Sequence, residues 1–416
     1  MKILKIAVVG VGGRSGSHLA TIPKLKDAYQ LAAVCDIREA HVQQVAERHG
    51  VPGYTDVQKM LDVEELDVIL IATPPEGHHI MTAQAAERGV HVISETPMSF
   101  SLACARLMVE TAEKHNIHLE VSENVRRWPA ERLKRKIVKS GVLGTVTQIH
   151  CWYVSGGYHG ISAIRNCACS EVTRIIGHAQ NAQLATSHWF DPFARRAVGE
   201  MQHIRTLPPV PAEGARVATW ELGVANFENG ITAVYEYPIG AVRGNYWEID
   251  GTHGQIIGND VYLYEGGQRN RYPIETVTSE REGVRIIDHL EINTNPPIIW
   301  ENPLKHYPLT DADDIARADV LMSIYRAATE GRALDYGGMG GYKDMEFLIG
   351  VRESAMRQSA PIAFPIHEDL QYDQRQHEEY QKIYGHHPLE STQTPLWKQE
   401  ARLSQDITEA RKETRK

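Results

Sequence analysis

The run Gly10-Val11-Gly12-Gly13-Arg14-Ser15-Gly16 follows an apolar, β-type stretch and leads into a helix-type one. Such a run can hold a phosphate. Gly10 permits the tight turn, Gly12 lets the main chain approach a pyrophosphate, and the diphosphate then meets the unpaired N–H groups of the helix. Ser15 fills the third place of the G-x-G-x-x-G fingerprint, small but not glycine. The motif alone is weak; its position between a strand and a helix gives it weight. Asp36 ends the second strand, where a carboxylate accepts hydrogen bonds from both hydroxyls of an adenosine ribose and repels a 2′-phosphate. This favours NAD over NADP, although Arg38 beside it could tolerate a phosphate. The plainer alternative is that Asp36 caps the next helix. On this reading Gly10, Gly12, Gly13, Arg14, Ser15, Asp36 and Arg38 form a dinucleotide site.

Other candidates lie further along. Thr73-Pro74 leaves an apolar strand at the carboxyl edge of the sheet, where ligands of such sheets bind, and His78 follows in the next helical turn. Gly156-Gly157-Tyr158-His159-Gly160 suggests a loop beside a ligand, with Tyr158 and His159 able to bond hydroxyls or shuttle protons; an ordinary surface loop is the alternative. Arg126, Arg127 and Arg165 could hold substrate oxygens, against a default of surface ion pairs. Cys167-x-Cys169 is the one close cysteine pair among five, and without a second pair at zinc-site spacing no metal site is expected.

The elements that must position these residues read as an α/β protein. Strand-type runs at Ile3–Val9, Leu31–Cys35, Asp67–Ala72, Val90–Ser94 and His118–Ser122 alternate with helix-type runs at Ser15–Leu25, Glu39–His49, His78–Arg88 and Leu102–His115. Alternation of this kind implies an N-terminal Rossmann unit, a doubly wound parallel sheet. A basic amphipathic helix over Pro129–Ser140 and a strand over Val146–Tyr153 follow, and Glu171–Ala185 fits a helix. Several β-type runs between Val217 and Tyr264 then suggest an open, largely antiparallel sheet, and long helices are expected over Asp311–Glu330 and Lys343–Ser359. The expected domains are 1–124, a Rossmann unit; 125–366, an α+β unit; and 367–416, a charged extension with helical pieces draped on the surface or reaching a partner subunit.

Composition narrows the class. Across 416 residues, 53 acidic against 44 basic side chains leave a formal charge of −9, which argues against a nucleic-acid binder. No apolar run approaches the roughly 20 residues that span a bilayer. The basic, apolar N-terminus enters a glycine-rich turn rather than a cleavage site, so a cytoplasmic location is expected.

These motifs together resemble the glucose–fructose oxidoreductase / inositol dehydrogenase (Gfo/Idh/MocA) family. The resemblance spans about residues 3–365 and rests on the glycine turn, Asp36, Thr73-Pro74 with His78, Ser94-Glu95-Thr96-Pro97, Asn124-x-Arg126-Arg127, Gly177-His178, Gly251-Thr252-x-Gly254, Asp344-x-Glu346 and Glu353-Ser354. It implies an NAD(P)-dependent enzyme acting on a sugar, glycoside or polyol. It also implies that Glu95, Thr96 and Asn124 lie toward the cofactor, and that a sheet forms subunit contacts in a homodimer or homotetramer. Two departures stand out. Thr96 replaces the family's lysine in Glu-Lys-Pro and cannot serve as a base. Arg174 stands four residues before His178, where an aspartate is usual, and can polarise an oxygen but not take a proton. His178 is the base this reading favours, with Arg174 its i,i+4 helical neighbour. The leading function is an NAD-dependent sugar or glycoside dehydrogenase. The alternatives are a redox-assisted glycosidase or lyase that recycles NAD, and a non-catalytic NAD- or sugar-binding regulator.

Overall fold

The computed structural model describes residues 2–152, 157–184, 216–237, 245–281 and 283–390. The chain divides into two compact units. One gathers Met1–Ser122, Arg317–Met345 and the described residues from Arg375 onward; the other comprises Glu123–Ala316 and Glu346–Gln374.

The first unit opens with β1 (Leu4–Val9), α1 (Ser15–Thr21), β2 (Tyr29–Cys35), α2 (Glu39–His49), β3 (Gly53–Tyr54), α3 (Val57–Val63), β4 (Val68–Ile71), α4 (His78–Ala86), β5 (His91–Ser94), α5 (Leu102–Lys114) and β6 (Leu119–Val121). The strands form one sheet in the order β3-β2-β1-β4-β5-β6, and every pairing is parallel. Val68, Ile69, Leu70 and Ile71 are all completely buried, as a parallel sheet covered on both faces requires. Local signals set the helix limits. Asp56 caps α3 and Ser101 caps α5 through their side-chain oxygens, and left-handed Gly50 closes α2. The first helix stops at Thr21 and tightens into a 3₁₀ turn over Ile22–Leu25, because Pro23 has no N–H to continue the ladder.

The second unit holds α6 (Pro129–Ser140), β7 (Val146–Trp152), α7 (Gly157–Ala168), β8 (Val172–Leu184), β9 (Arg216–Phe227), β10 (Thr232–Tyr237), β11 (Tyr246–Gly251), β12 (Gly254–Ile257), β13 (Asp260–Glu265), β14 (Gln268–Pro273), β15 (Glu275–Arg281), β16 (Val284–Ile292) and β17 (Ile298–Glu301). Near the C-terminus come α8 (Ala312–Glu330), α9 (Gly337–Met356), β18 (Ile362–Ala363) and α10 (Gln371–Tyr384). The large sheet has nine strands in the order β14-β13-β12-β11-β7-β10-β9-β8-β18, antiparallel except for the parallel pair β7–β10. A separate sheet, β15-β16-β17, was not anticipated from the sequence. On one face of the large sheet Ile149, Cys151, Tyr235, Trp247 and Ile249 are buried.

A boundary at 124 with everything to 366 in a second domain does not describe this division. Residues 317–345 return to the first unit, where α1, β2 and β6 bind them. Tyr29 donates to the Leu321 carbonyl at 2.7 Å, Arg317 Nε to Thr21 Oγ1 at 3.2 Å, and buried Glu120 accepts from Ser323 Oγ and the Gly337 N–H.

Two elements overturn expectations that bear on function. Residues expected as a helix over Glu171–Ala185 form β8 instead. Val172, Ile175, Ile176 and Ala179 fall at helical spacing, yet the segment is rich in β-branched residues and pairs with β9 along its length. Gly177 makes this possible: a Cβ there would lie 2.0 Å from the Val351 carbonyl oxygen of α9. The expected loop at Gly156–Gly160 enters α7 from Gly157; Gly156 itself lies outside the described residues. Gly157 is required at that helix start, since a Cβ would fall 1.9 Å from the Tyr235 hydroxyl.

Candidate functional site

In the first unit the candidate residues gather at the carboxyl ends of β1, β2, β4 and β5. Gly10 sits at φ +83°, and a Cβ there would be 2.8 Å from the carbonyl carbon and oxygen of Ala72, so the turn closes directly against the end of β4. Gly12 and Gly13 face outward. Among the described residues, a Cβ on Gly12 would meet only Arg38 Nη2, at 3.7 Å, and one on Gly13 nothing within 4 Å, so the turn offers bare main chain to a ligand. Ser15 is buried and donates to the Gly12 carbonyl at 2.7 Å, which fixes the turn.

Asp36 is held by protein donors on both oxygens. Oδ2 accepts from the Val11 N–H at 3.0 Å and Arg38 Nη2 at 2.9 Å; Oδ1 accepts from the Arg38 N–H at 3.0 Å and Nε at 2.9 Å. Burial opposes its ionisation, but the hydrogen bonds and charge of Arg38 outweigh it and hold the carboxyl below its ordinary range. A carboxylate has about four lone-pair positions. Ribose hydroxyls binding here must therefore take the place of the Arg38 guanidinium.

The far end of the crevice carries a second charged network. Glu95, buried at the end of β5, accepts from Arg14 Nε at 2.9 Å, the Thr96 N–H at 2.8 Å and Ser122 Oγ at 3.3 Å, and meets His18 Nε2 at 2.5 Å. Burial works against its charge, yet Arg14 and His18 keep it far below the usual carboxylate range. Glu95 thus favours its charged form and pins the Arg14 guanidinium. Thr96 itself bonds to Glu95 through both its N–H and its hydroxyl. Thr73 lies half-buried and Pro74 exposed at the end of β4. His78 does not face a ligand. It is buried, with Nε2 2.9 Å from the Thr73 carbonyl and Nδ1 3.0 Å from Ser94 Oγ and 3.2 Å from the Met98 carbonyl. Burial lowers its pKa, and a neutral ring carries one N–H: with Nε2 donating to the Thr73 carbonyl, Nδ1 accepts from Ser94 Oγ and does not also donate to Met98.

In the second unit the arrangement best suited to proton transfer is one the sequence did not pair. His159 stands in the first turn of α7, and its Nδ1 lies 2.8 Å and 3.0 Å from the two oxygens of Glu123. Glu123 is completely buried and also accepts the Val125 N–H at 2.9 Å, while His159 keeps 20% of its side-chain surface exposed. A fixed carboxylate on Nδ1 sets the tautomer and directs proton exchange to Nε2. The buried Tyr158 ring packs edge-on to the imidazole at 6.3 Å. Arg126 and Arg127 are buried, not surface residues, in the 3₁₀ turn that follows Glu123. Arg165, on α7, lies 3.6 Å from Glu171. The Asn124 amide donates to Asp313, which also takes Trp128 Nε1 at 3.1 Å.

Arg174 and His178 are not helical neighbours. They lie on the exposed face of β8, about 13 Å apart at strand rise. Arg174 Nη2 donates to Asn226 Oδ1 at 3.2 Å, and His178 packs edge-on against Trp220 at 5.7 Å. Among the described residues neither has a carboxylate partner like that of His159, and the i,i+4 helical pairing expected of them is replaced by a strand. All five cysteines are free, and the first four are buried.

Comparison with known proteins agrees with this architecture. Residues 4–123 match the model of the oxidoreductase family with an NAD-binding Rossmann fold. The chain is 32% identical over 146 residues to D-apiose dehydrogenase of Paraburkholderia graminis, a match covering 35% of this chain and 39% of that protein. It is 26% identical over 164 residues to glycosyl hydrolase family 109 protein 1 of a Shewanella species, covering 37% and 36%. These matches thus span well under half of either curated relative. An oxidoreductase from Agrobacterium radiobacter, solved with NAD+, L-tartaric acid and magnesium, superposes with a TM-score of 0.62 at 16% identity, over 87% of this chain and 98% of that one, which shows the shared fold.

Proposed function

We propose, for a chain whose residues 4–123 belong to the oxidoreductase family with an NAD-binding Rossmann fold, that it is an NAD-dependent oxidoreductase acting on a hydroxyl of a sugar, glycoside or polyol, with His159 moving the hydroxyl proton. The observation that carries the proton-transfer role is the buried Glu123 carboxylate on His159 Nδ1. The first unit fits the cofactor. Gly12 and Gly13 leave bare main chain for a diphosphate, Asp36 stays ionised for the ribose, and Thr73, Pro74, Glu95 and Thr96 line the far end. NAD, when bound, supplies the acceptor or donor of hydride.

The chain's own residues then have distinct tasks. Nε2 of His159 takes the proton of the reacting hydroxyl, and Glu123 stabilises the imidazolium that forms. Arg14, pinned by Glu95, stays protonated and adds positive charge at the cofactor end of the first unit. Thr96 has no proton-accepting role. The sugar class rests on the names of the relatives, a D-apiose dehydrogenase and a glycosyl hydrolase. The hydrolase likeness, with Thr96 in place of a lysine, also supports a second reading, cleavage of a glycoside with NAD recycled.

The test is a panel of sugars, glycosides and polyols incubated with NAD, followed by nicotinamide absorbance and by aglycone release. Net NADH supports the first reading. Aglycone release without net NADH, abolished by stripping the cofactor, supports the second. Binding with neither signal points to a non-catalytic regulator and overturns the proposal.

A further inference from the structure

The C-terminal helix docks where the two cofactor-side crossovers of the first unit begin. Tyr380 of α10 stacks on Phe100 at 5.3 Å with the rings 11° apart, and Tyr384 packs on Tyr380 at 4.3 Å. Both tyrosines are buried with Phe100 and Cys104 in one cluster. Two polar contacts fix the register. His377 Nε2 lies 2.9 Å from Ser101 Oγ, the atom that also caps α5 through the Cys104 N–H. His79 Nε2 lies 3.0 Å from the Pro388 carbonyl, and since a carbonyl can only accept, His79 donates.

The docking residues sit next to the residues that shape the crevice. His79 adjoins His78, whose ring ties the Thr73 carbonyl to Ser94 Oγ. Phe100 and Ser101 end the segment that leaves Glu95-Thr96, and from Pro97 to Ser101 that segment is wholly buried. The tail thus grips one crossover at the start of α4 and the other at the start of α5, and His78 joins the two.

We infer that the C-terminal segment from His377 to Pro388 is a positioning element of the cofactor crevice: through His79 and Ser101 it holds the crossovers bearing Thr73 and Glu95-Thr96 in one arrangement. This rests on the proposed NAD site only for its effect on cofactor. The coupling between tail and crossovers is measurable without any ligand, so the two can fail separately.

The test uses full-length protein in three forms: wild type, His79→Leu, which deletes the donor to Pro388 while keeping the bulk, and His79→Gln, whose amide nitrogen can restore it. Amide exchange is read by mass spectrometry over 73–78, over 94–101 and over β1. Loss of one buried hydrogen bond should speed exchange of both crossovers about tenfold in His79→Leu, with β1 unchanged. NADH affinity should fall by a similar factor, and His79→Gln should recover both to within about twofold. Crossover exchange that stays at the wild-type rate while 377–388 loses protection would overturn the inference. So would failure of glutamine to rescue. Should His79→Leu unfold globally, His377→Leu gives the same reading from the Ser101 side. Wild-type protein that binds no NADH yet shows the exchange coupling would refute the cofactor site alone.

Discussion

Acid should loosen the C-terminal helix before it unfolds the sheet. His79 is cut off from water, and burial, followed by the nearby imidazoles of His78, His377 and His386, holds its pKa at about 4 against an ordinary 6.5; only the Pro388 carbonyl acts the other way. Burial and His387 hold His377 at about 4 as well. With the tail undocked, His377 on the tail and His79 on α4 return toward the ordinary 6.5, so the undocked state binds more protons below that pH. The docking they support is complete above pH 6.5 and drains away as pH falls toward 4. Each ring contributes about 1.4 kcal/mol per pH unit over that window. At about pH 5 the loss is about 2 kcal/mol per ring and about 4 kcal/mol for the pair, close to a thousandfold in the undocking equilibrium. Amide exchange over 375–390, corrected for intrinsic rates, would follow it from about pH 7 to about pH 5. His91, at the start of β5, is also held at about 4 by burial and His118 and weakens that strand end over the same range. The double variant His79→Gln, His377→Gln isolates the tail and should show a nearly flat profile. A change of less than about tenfold in wild type, or an equal change in the double variant, would refute the reasoning.

Other substitutions probe the site and its supports. His159→Ala should lower kcat by about 10²–10⁴-fold, and Glu123→Gln should lower it while shifting the pH–rate profile, because the amide no longer dictates which ring nitrogen carries the proton; stopped-time assays with the active sugar check both. His178→Ala should change kcat less than about threefold, since the ring lies on the exposed face of β8. Its neighbour is the opposite case: Gly177→Ala forces a Cβ to within 2.0 Å of the Val351 carbonyl and should cost about 3 kcal/mol or more by urea unfolding. Gly10→Ala combines a left-handed backbone, about 1–2 kcal/mol, with overpacking against Ala72, about 1–3 kcal/mol, and should lower the midpoint of thermal unfolding as well as NADH affinity.

Much of the first unit was legible in the sequence because its local signals agree with its fold. The wholly apolar Val68–Ile71, the glycine turn after a strand and Asp36 at the next strand end support one another, and their alternation with helices points to the parallel sheet. The second unit was harder for physical reasons. Val172, Ile175, Ile176 and Ala179 satisfy helical spacing, while a register shift between Val172 and Arg174 puts Val172, Ile175 and Ala179 on the buried side of a strand. The glycines of α7 disguised a helix that is stabilised by burial on nearly every side rather than by propensity. Glu123 was missed because its partner lies 36 residues away, a distance no local pattern spans. The only hint was a carboxylate at the very end of a buried strand, where an unpaired charge would be costly. The tail's docking was hidden for the same reason: nothing near His377 in the sequence points to Ser101.

The account stands on a dinucleotide seated over Gly10–Gly13 with its ribose on Asp36. Calorimetric titration of the full chain with NAD+ and NADH, repeated on Asp36→Ala, tests it most directly. Saturable one-to-one binding, weakened at least about tenfold by the substitution, is the predicted result. Absence of binding to wild type, or binding that Asp36→Ala leaves untouched, would contradict it.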